Sequence, residues 1–314
     1  MLPINVPLSF ISEYNNKKIK GINMIYVVKS NDTLFKIAER FKTTVPSILD
    51  ANIICNPDFI AEGEPLLIPD DISKSDIPKA GAGPFYITRP GDTLDCIANQ
   101  VGMSTELLAI INNIQNPNVL YSGSELLITD LYYDNPEDLK RLWETTPGGD
   151  CFINGMADHG IYYLGSFQWL AYGEASIQPL LELLANPCED VQLNAIISLG
   201  RLALNGKVLK ALIPITKNED YISDFAKIAI RRIGLKSMGL DRVHITMNNS
   251  YLSTESDTIE VPEGSEIVVL KWFVPNLEEE GPRGGYQVYD YVQIVNTGQT
   301  GFFPRAGDAA ITFI

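Results

Sequence analysis

Cys151 and His159 are the residues of this chain most suggestive of covalent catalysis, a thiol that could act as nucleophile and an imidazole as its base. Only seven residues lie between them, the residues after His159 read as helix, and the one other histidine is His244. The acidic pairs offer no general acid and base either, because Glu189-Asp190 and Glu278 to Glu280 lie in turns or charge runs that are usually solvated. No H-x-H or H-E-x-x-H phrase occurs, so neither a catalytic metal nor a cofactor is expected. The residue types that do recur at fixed spacing are polar and small. Asp-Thr-Leu stands at 32–34 and again at 92–94, and Asn-Pro at 56–57 and again at 116–117. These groups can form hydrogen bonds but have no evident route to bond making.

The elements that must position them are themselves repeated. Residues 26–70 fall on residues 86–130 without a gap, matching Tyr26 to Tyr86, Asn52 to Asn112, Gly63 to Gly123 and Leu66-Leu67-Ile68 to Leu126-Leu127-Ile128. Each copy opens on a short strand, such as Tyr86-Ile87-Thr88. Asp92 is placed to cap a helix whose apolar face is Leu94, Ile97, Ala98 and Val101. Ser104 starts a second helix with Leu107, Leu108 and Ile111 as its stripe, and Asn116-Pro117 breaks it. Gly123 turns the chain into a closing strand. The expected unit is βααβ, with Asn52 and Asn112 holding its loop by side-chain-to-backbone bonds.

Both copies resemble LysM domains. The matching phrases are Gly91-Asp92-Thr93-Leu94 with Asn116 to Gly123, and Asn31-Asp32-Thr33-Leu34 with Asn56 to Gly63 and a closing Ile68-Pro69. Asn31 stands where the family usually has glycine. Asp95 replaces the aromatic residue that Phe35 supplies in the first copy. The resemblance covers under a third of the chain. It implies recognition of N-acetylglucosamine-containing glycans such as peptidoglycan or chitin, in a groove between the loop after the first strand and the loop before the last. Carried over, the glycan-binding residues are Asn31, Asp32, Thr33, Ile54, Asn56, Pro57, Phe59 and Ile60 in the first copy. In the second they are Gly91, Asp92, Thr93, Ile114, Asn116, Pro117, Val119, Leu120 and Tyr121. A neutral amino sugar needs an apolar floor and a few hydrogen bonds, and Ile54, Ile60, Ile114 and Leu120 fit that floor. The plainer role of Asp32 and Asp92 is helix capping, with Leu34, Ile37, Leu94 and Ile97 as core.

The chain has 314 residues and a formal net charge of −15. That balance argues against nucleic acid, anionic lipid and phosphate-rich wall polymers as partners. Residues 1–24 form an N-terminal extension in which the basic cluster Lys17-Lys18-Ile19-Lys20 follows the apolar part. This is not the order of a secretory signal peptide, and no stretch is long enough to span a membrane. Cys55, Cys96, Cys151 and Cys188 lack C-x-x-C spacing, and all four are expected to be reduced in a protein made in the cytoplasm. Residues 71–84 read as a polar, Gly/Pro linker between the modules at 25–70 and 85–130.

Residues 131–239 read as helices. Asn135-Pro136 starts one, Pro147-Gly148-Gly149 ends it, Pro179 begins another and Asp190 caps the next, with the stripe Leu193, Ile196, Ile197, Gly200 and Leu204. Further helices run near Val208 to Thr216 and Ser223 to Ile233, with Gly234 as a stop. Leu164-Gly165 recurs as Leu199-Gly200, and the region resembles an all-α HEAT-like array. Residues 240–314 change to strand periodicity. The phrases E-V-P-E-G-S-E-I-V-V-L and T-G-Q-T-G-F-F-P resemble a small all-β bacterial SH3-like barrel, with Trp272, Tyr286, Tyr289, Phe302 and Phe303 able to line a peptide groove or pack a core. The expected protein is a multidomain, non-catalytic glycan binder whose helical and SH3-like parts meet protein partners. It would reach a cell wall or spore by a non-classical route. The alternative is an assembly adaptor in which the LysM folds are structural.

Overall fold

The computed structural model describes residues 24–69, 79–129, 134–145, 157–202, 204–254, 257–280, 286–305 and 313–314. The N-terminal extension, Pro147-Gly148-Gly149, Cys151 and most of the linker lie outside them, as does the side chain of His159. The chain divides into two units, drawn from Met1–Ile128, Asn249–Pro262 and Val268–Arg305, and from Thr129–Asn248, Glu263–Ile267 and Ala306–Ile314.

In the first unit each repeat is a βααβ module. The first runs β1 (Met24–Val27), α1 (Leu34–Phe41), α2 (Val45–Ala51) and β2 (Pro65–Ile68). Its strands are antiparallel, from Met24 opposite Ile68 to Val27 opposite Pro65. The second runs β3 (Phe85–Ile87), α3 (Leu94–Val101), α4 (Thr105–Ile111) and β4 (Glu125–Leu127), with Phe85 opposite Leu127. The helix caps differ from the expected ones. Thr33 and Thr93, not the aspartates before them, accept the free N–H groups of Lys36 and Cys96. A β-region threonine can cap the first turn through its hydroxyl, although aspartate is the stronger N-cap residue. Asn52 and Asn112 each donate to two carbonyls, of Ile48 and Leu67 or of Leu108 and Leu127, and accept from the N–H of Leu67 or Leu127. Each amide thereby fastens the end of its second helix to the closing strand.

The strands after residue 249 belong to the same unit. They are β6 (Ser250–Ser253), β7 (Thr258–Val261), β8 (Glu266–Glu280, whose first residues lie in the second unit), β9 (Tyr286–Ile294) and β10 (Thr300–Pro304). They lie in the order β8-β9-β10-β6-β7, a half-barrel sheet. Residues 286–294 form one strand, and β8 runs on through Glu278 to Glu280, which the sequence places in a turn or charge run. Trp272, Tyr289 and Phe303 are buried, so they pack the sheet instead of lining an open groove.

The second unit is helical: α5 (Pro136–Thr145), α6 (Ala157–Tyr172), α7 (Ile177–Leu183), α8 (Glu189–Arg201), α9 (Gly206–Ile215) and α10 (Tyr221–Ser237), followed by β5 (Val243–Ile245). The recurring Leu-Gly phrase has a packing cause. A Cβ on Gly165 would lie 2.7 Å from Trp143 Nε1, and one on Gly200 would lie 2.9 Å from the Cβ of Ala229. Helix contacts this close leave no room for a side chain. Cys188, not Asp190, is the N-cap residue of α8, and Asp190 sits in the first turn, where it meets the helix dipole. Gly234 lies inside α10, whose packing carries the helix through it to Ser237, and Gly239 is the residue that turns left-handed. Leu204 follows α8 and is exposed, so it is not part of the buried stripe.

Candidate functional site

In the first module Asp32 fixes the loop after β1. Its carboxylate accepts the Lys29 N–H at 2.9 Å, the Tyr26 hydroxyl at 2.5 Å and Arg40 Nη2 at 3.0 Å. Burial pushes this acid up, but the Tyr26 hydroxyl, the Lys29 N–H and Arg40 outweigh it and hold the carboxyl below the usual aspartate range. Asn31, at the tip, has a left-handed φ of 66° and an exposed side chain. Across from this loop Asn56 accepts the Asp58 N–H at 3.1 Å, a side-chain turn that presents Pro57 and Phe59 outward.

The second module repeats the frame without the arginine. Asp92 accepts the Arg89 N–H at 2.8 Å and the Tyr86 hydroxyl at 2.7 Å, but Gln100 stands where the first module has Arg40. Burial dominates here and raises the Asp92 pKa despite those bonds. Asn116 makes the same turn with the Asn118 N–H at 3.1 Å, and Val119 and Tyr121 project into solvent at 46% and 76% exposure.

Of the residues expected to meet a ligand, Asn31, Thr33, Pro57, Phe59, Gly91, Thr93, Asn116, Pro117, Val119 and Tyr121 are exposed on these loops. Asp32, Asn56, Ile60, Asp92, Ile114 and Leu120 are half-buried beneath them. Ile54 is not an open floor: it is 4% exposed and packs in the first module's core with Leu34, Ile37 and Leu66. The hydroxyls of Thr33 and Thr93 each accept one N–H as caps, which uses one of their two lone pairs.

The expectation of four reduced cysteines is overturned. Cys55 and Cys96 form a disulfide between the modules, with Cα atoms 5.9 Å apart, and Cys188 is disulfide-bonded too. The lack of C-x-x-C spacing does not forbid a bond when the two repeats are packed together. Ile53 is wholly buried in the second module's core, beside Tyr86, Leu94 and Ile97, although its neighbour Ile54 belongs to the first. Glu64 Oε1 lies 2.5 Å from Arg89 Nη2 and 3.2 Å from Lys271 Nζ on β8, all with little solvent contact. Burial pulls Lys271 down to about 8 and would raise Glu64, but the two cations hold that acid below its ordinary range. The Trp272 indole donates to Glu125 at 2.8 Å, and the Gly81 N–H to the Phe273 carbonyl at 2.9 Å. The last part of the expected linker is thus held: Ala80 bridges Asn52, and Lys79 donates to the Leu49 carbonyl at 3.2 Å. Sequence reasoning missed Glu64, Arg89 and Lys271, and it expects Ile53 in the wall of the first module's groove, where the structure instead buries it in the second module's core. The available signal was where the repeat breaks, since their partners sixty residues away are Asn113 for Ile53, Ser124 for Glu64 and Lys29 for Arg89.

The LysM domain family matches residues 26–69 and 86–129. The chain carries two LysM domains. Among curated relatives, the secreted LysM effector ECP6 of Passalora fulva is 28% identical over 120 residues, 34% of this chain and 53% of that protein. The autolysin of Enterococcus faecalis is 28% identical over 117 residues, 34% of this chain and 16% of its own length. The chain therefore spans only part of the length of the relatives it matches. The spore cortex-lytic enzyme SleL of Bacillus megaterium aligns over 69% of this chain and 57% of its own at 16% identity, with a TM-score of 0.16. Among the described residues no group of three or more His, Cys, Asp or Glu is placed to hold a metal ion, and no helix is long and apolar enough to cross a membrane.

Proposed function

We propose that this chain is a non-catalytic binder of N-acetylglucosamine-containing glycan, with peptidoglycan as the natural class of ligand. The observation that carries the reading is the pair of LysM domains whose exposed loops present apolar rings and methyls (Phe59, Val119, Tyr121) beside amides and backbone groups. Such a surface suits an uncharged amino sugar, whose N-acetyl methyl seeks apolar contact and whose amide and hydroxyls seek hydrogen bonds. A net charge of −15 gives no long-range pull toward anionic polymers, so recognition would act at short range.

In this reading Asp32 and Asp92 hold the loops in shape and do not act as acids. The HEAT-like helical region and the SH3-like sheet would supply contacts to proteins of the same assembly. A cell-wall or spore setting fits the glycan, and the disulfides fit an oxidising surrounding better than a reducing one. The test is co-sedimentation of the purified chain with insoluble peptidoglycan, paired with an assay for released wall fragments. Saturable sedimentation without fragment release supports the proposal. A chain that stays in the supernatant contradicts binding, and release of soluble fragments contradicts the non-catalytic part.

A further inference from the structure

The two grooves share a frame but not a charge. In the first module Lys29, on the early loop, and Lys36, in the first turn of α1, are both exposed. Lys36 Nζ reaches back and donates to the Asn31 carbonyl at 2.8 Å, which holds an ammonium at the tip of the groove wall. An ammonium has three donors. Among the described residues Lys36 makes no other hydrogen bond, and neither lysine makes an ion pair. The acid of this wall does not cancel them, because the Asp32 side chain is only 5% exposed and is paired with Arg40 at 3.0 Å. On the opposite, late wall Asp58 and Glu62 are exposed. The first groove is therefore positive on its early side and negative on its late side.

The second groove has none of these free charges. Sixty residues on, Cys96 stands for Lys36, Asn118 for Asp58 and Ser122 for Glu62. Arg89, which stands for Lys29, is turned into the seam, where it lies 2.5 Å from Glu64 and donates to the Ile53 carbonyl at 3.3 Å. A neutral N-acetylglucosamine unit offers an ammonium pair no charge to meet. N-acetylmuramic acid does, through the carboxylate of its lactyl ether or the carboxylates of a peptide stem built on it. The chain's net charge of −15 repels such a group at a distance, but screening over about 8 Å leaves the nearest charges to decide inside the groove.

Resting on the glycan reading above, we propose that the first LysM groove is an acid-reading site. Lys29 and Lys36 bind a carboxylate of a muramic acid unit, and Asp58 and Glu62 turn that group away from the late wall. The second groove takes neutral N-acetylglucosamine.

Amide chemical-shift titrations of the full labelled chain test this. The ligands are a tetrasaccharide of alternating N-acetylglucosamine and N-acetylmuramic acid as free acid, as methyl ester and with its stem peptides, beside a tetramer of N-acetylglucosamine. Shifts at residues 29–33 should saturate at roughly tenfold lower concentration with the free acid than with the ester, as two exposed ion pairs allow. Residues 89–93 should not distinguish the two. In about 1 M salt, where screening acts within about 3 Å, the difference should shrink to about twofold or less. Lys36→Gln should remove most of the preference, and Lys36→Arg, which keeps the charge, should retain it. Preference for the free acid or for the stem-bearing sugar over the ester supports the proposal, and the stronger of the two names the carboxylate. Equal saturation of residues 29–33 by all three forms, or an acid preference at residues 89–93, would overturn it while leaving glycan binding intact. No shift with any sugar, the neutral tetramer included, would overturn the glycan reading and the acid-reading site with it.

Discussion

Asp32 and Asp92 occupy one position in two copies of one motif, yet their surroundings move them in opposite directions. Both accept a backbone N–H three residues earlier and a tyrosine hydroxyl six residues earlier. Asp32 adds a hydrogen bond from Arg40 and falls below the ordinary range; at Asp92 burial outweighs the Tyr86 and Arg89 bonds and the nearby Arg89 charge, and it rises above that range. The seam shows the same inequality. The late loop of the first module enters the second module's core through Ile53, whereas the matching Asn113 is exposed. Duplication copied the hydrogen-bond frame, and the residues that depart from the repeat turn two equal modules into one asymmetric body. Glu64 makes the point most sharply. It sits between Arg89 and Lys271, and its counterpart Ser124 has no such charge to neutralise.

The comparison can be broken most forcefully at that charge. Lys271→Met removes one of two cations from a buried carboxylate, leaving Arg89 as its partner, and should cost about 3–5 kcal/mol in urea unfolding, as breaking a buried ion pair does. Adding Glu64→Gln should cost less than the sum of the two changes, because it removes the carboxylate that Lys271 neutralised. Opening the Cys55–Cys96 disulfide, which closes a separation of 41 residues, should lower stability by about 4 kcal/mol on the chain-entropy account. Unfolding curves of wild type and of the Cys55→Ser/Cys96→Ser chain would read this. Asn52→Ala should cost about 3 kcal/mol, since it strands buried groups of Ile48 and Leu67. Asn112→Ala should cost roughly 1 kcal/mol, because the same bonds there are half open to water, which can replace them.

The smallest effects separate the two aspartates by sign. Asp32, whose folded pKa is depressed, contributes stability that is present above the unfolded value of about 3.9 and lost as pH falls through the lower folded value. Asp92, whose folded pKa is raised, loses stability as pH rises from about 3.9 through its own folded value. Unfolding measured between about pH 2 and 6 should therefore show wild type losing its advantage over Asp32→Asn as acid is added, and gaining on Asp92→Asn. Slopes of the same sign would mean that the two loops are electrostatically alike.

Much of the module fold was legible in the sequence. The gapless repeat, the i, i+3, i+4 stripes and the Asn-Pro breaks gave β1 through β4 and their helices, because these features depend on neighbours a few residues away. Asn135 also caps α5 as its type suggests, accepting the Asp138 N–H at 3.1 Å. Long-range features were not legible. Nothing local to Cys55 or Cys96 says that the modules face each other, and nothing local to Lys271 says that a carboxylate more than two hundred residues away lies beside it. The caps failed for a subtler reason. Asp32-Thr33 and Asp92-Thr93 each offer two adjacent oxygen-bearing side chains, and the tyrosine that draws the aspartate away is six residues upstream. The exposed loop residues were found through the motif, but Ile54 shows that an apolar residue next to a binding loop can belong to the core beneath it.

The most direct test of the central claim is a titration of isotopically labelled chain with a tetramer of N-acetylglucosamine, followed by amide chemical shifts. The account predicts saturable shifts at Asn31 to Thr33, Asn56 to Ile60, Gly91 to Thr93 and Asn116 to Tyr121, with the helical unit unmoved. Unchanged spectra at millimolar sugar, or shifts confined to the helical unit, would contradict it.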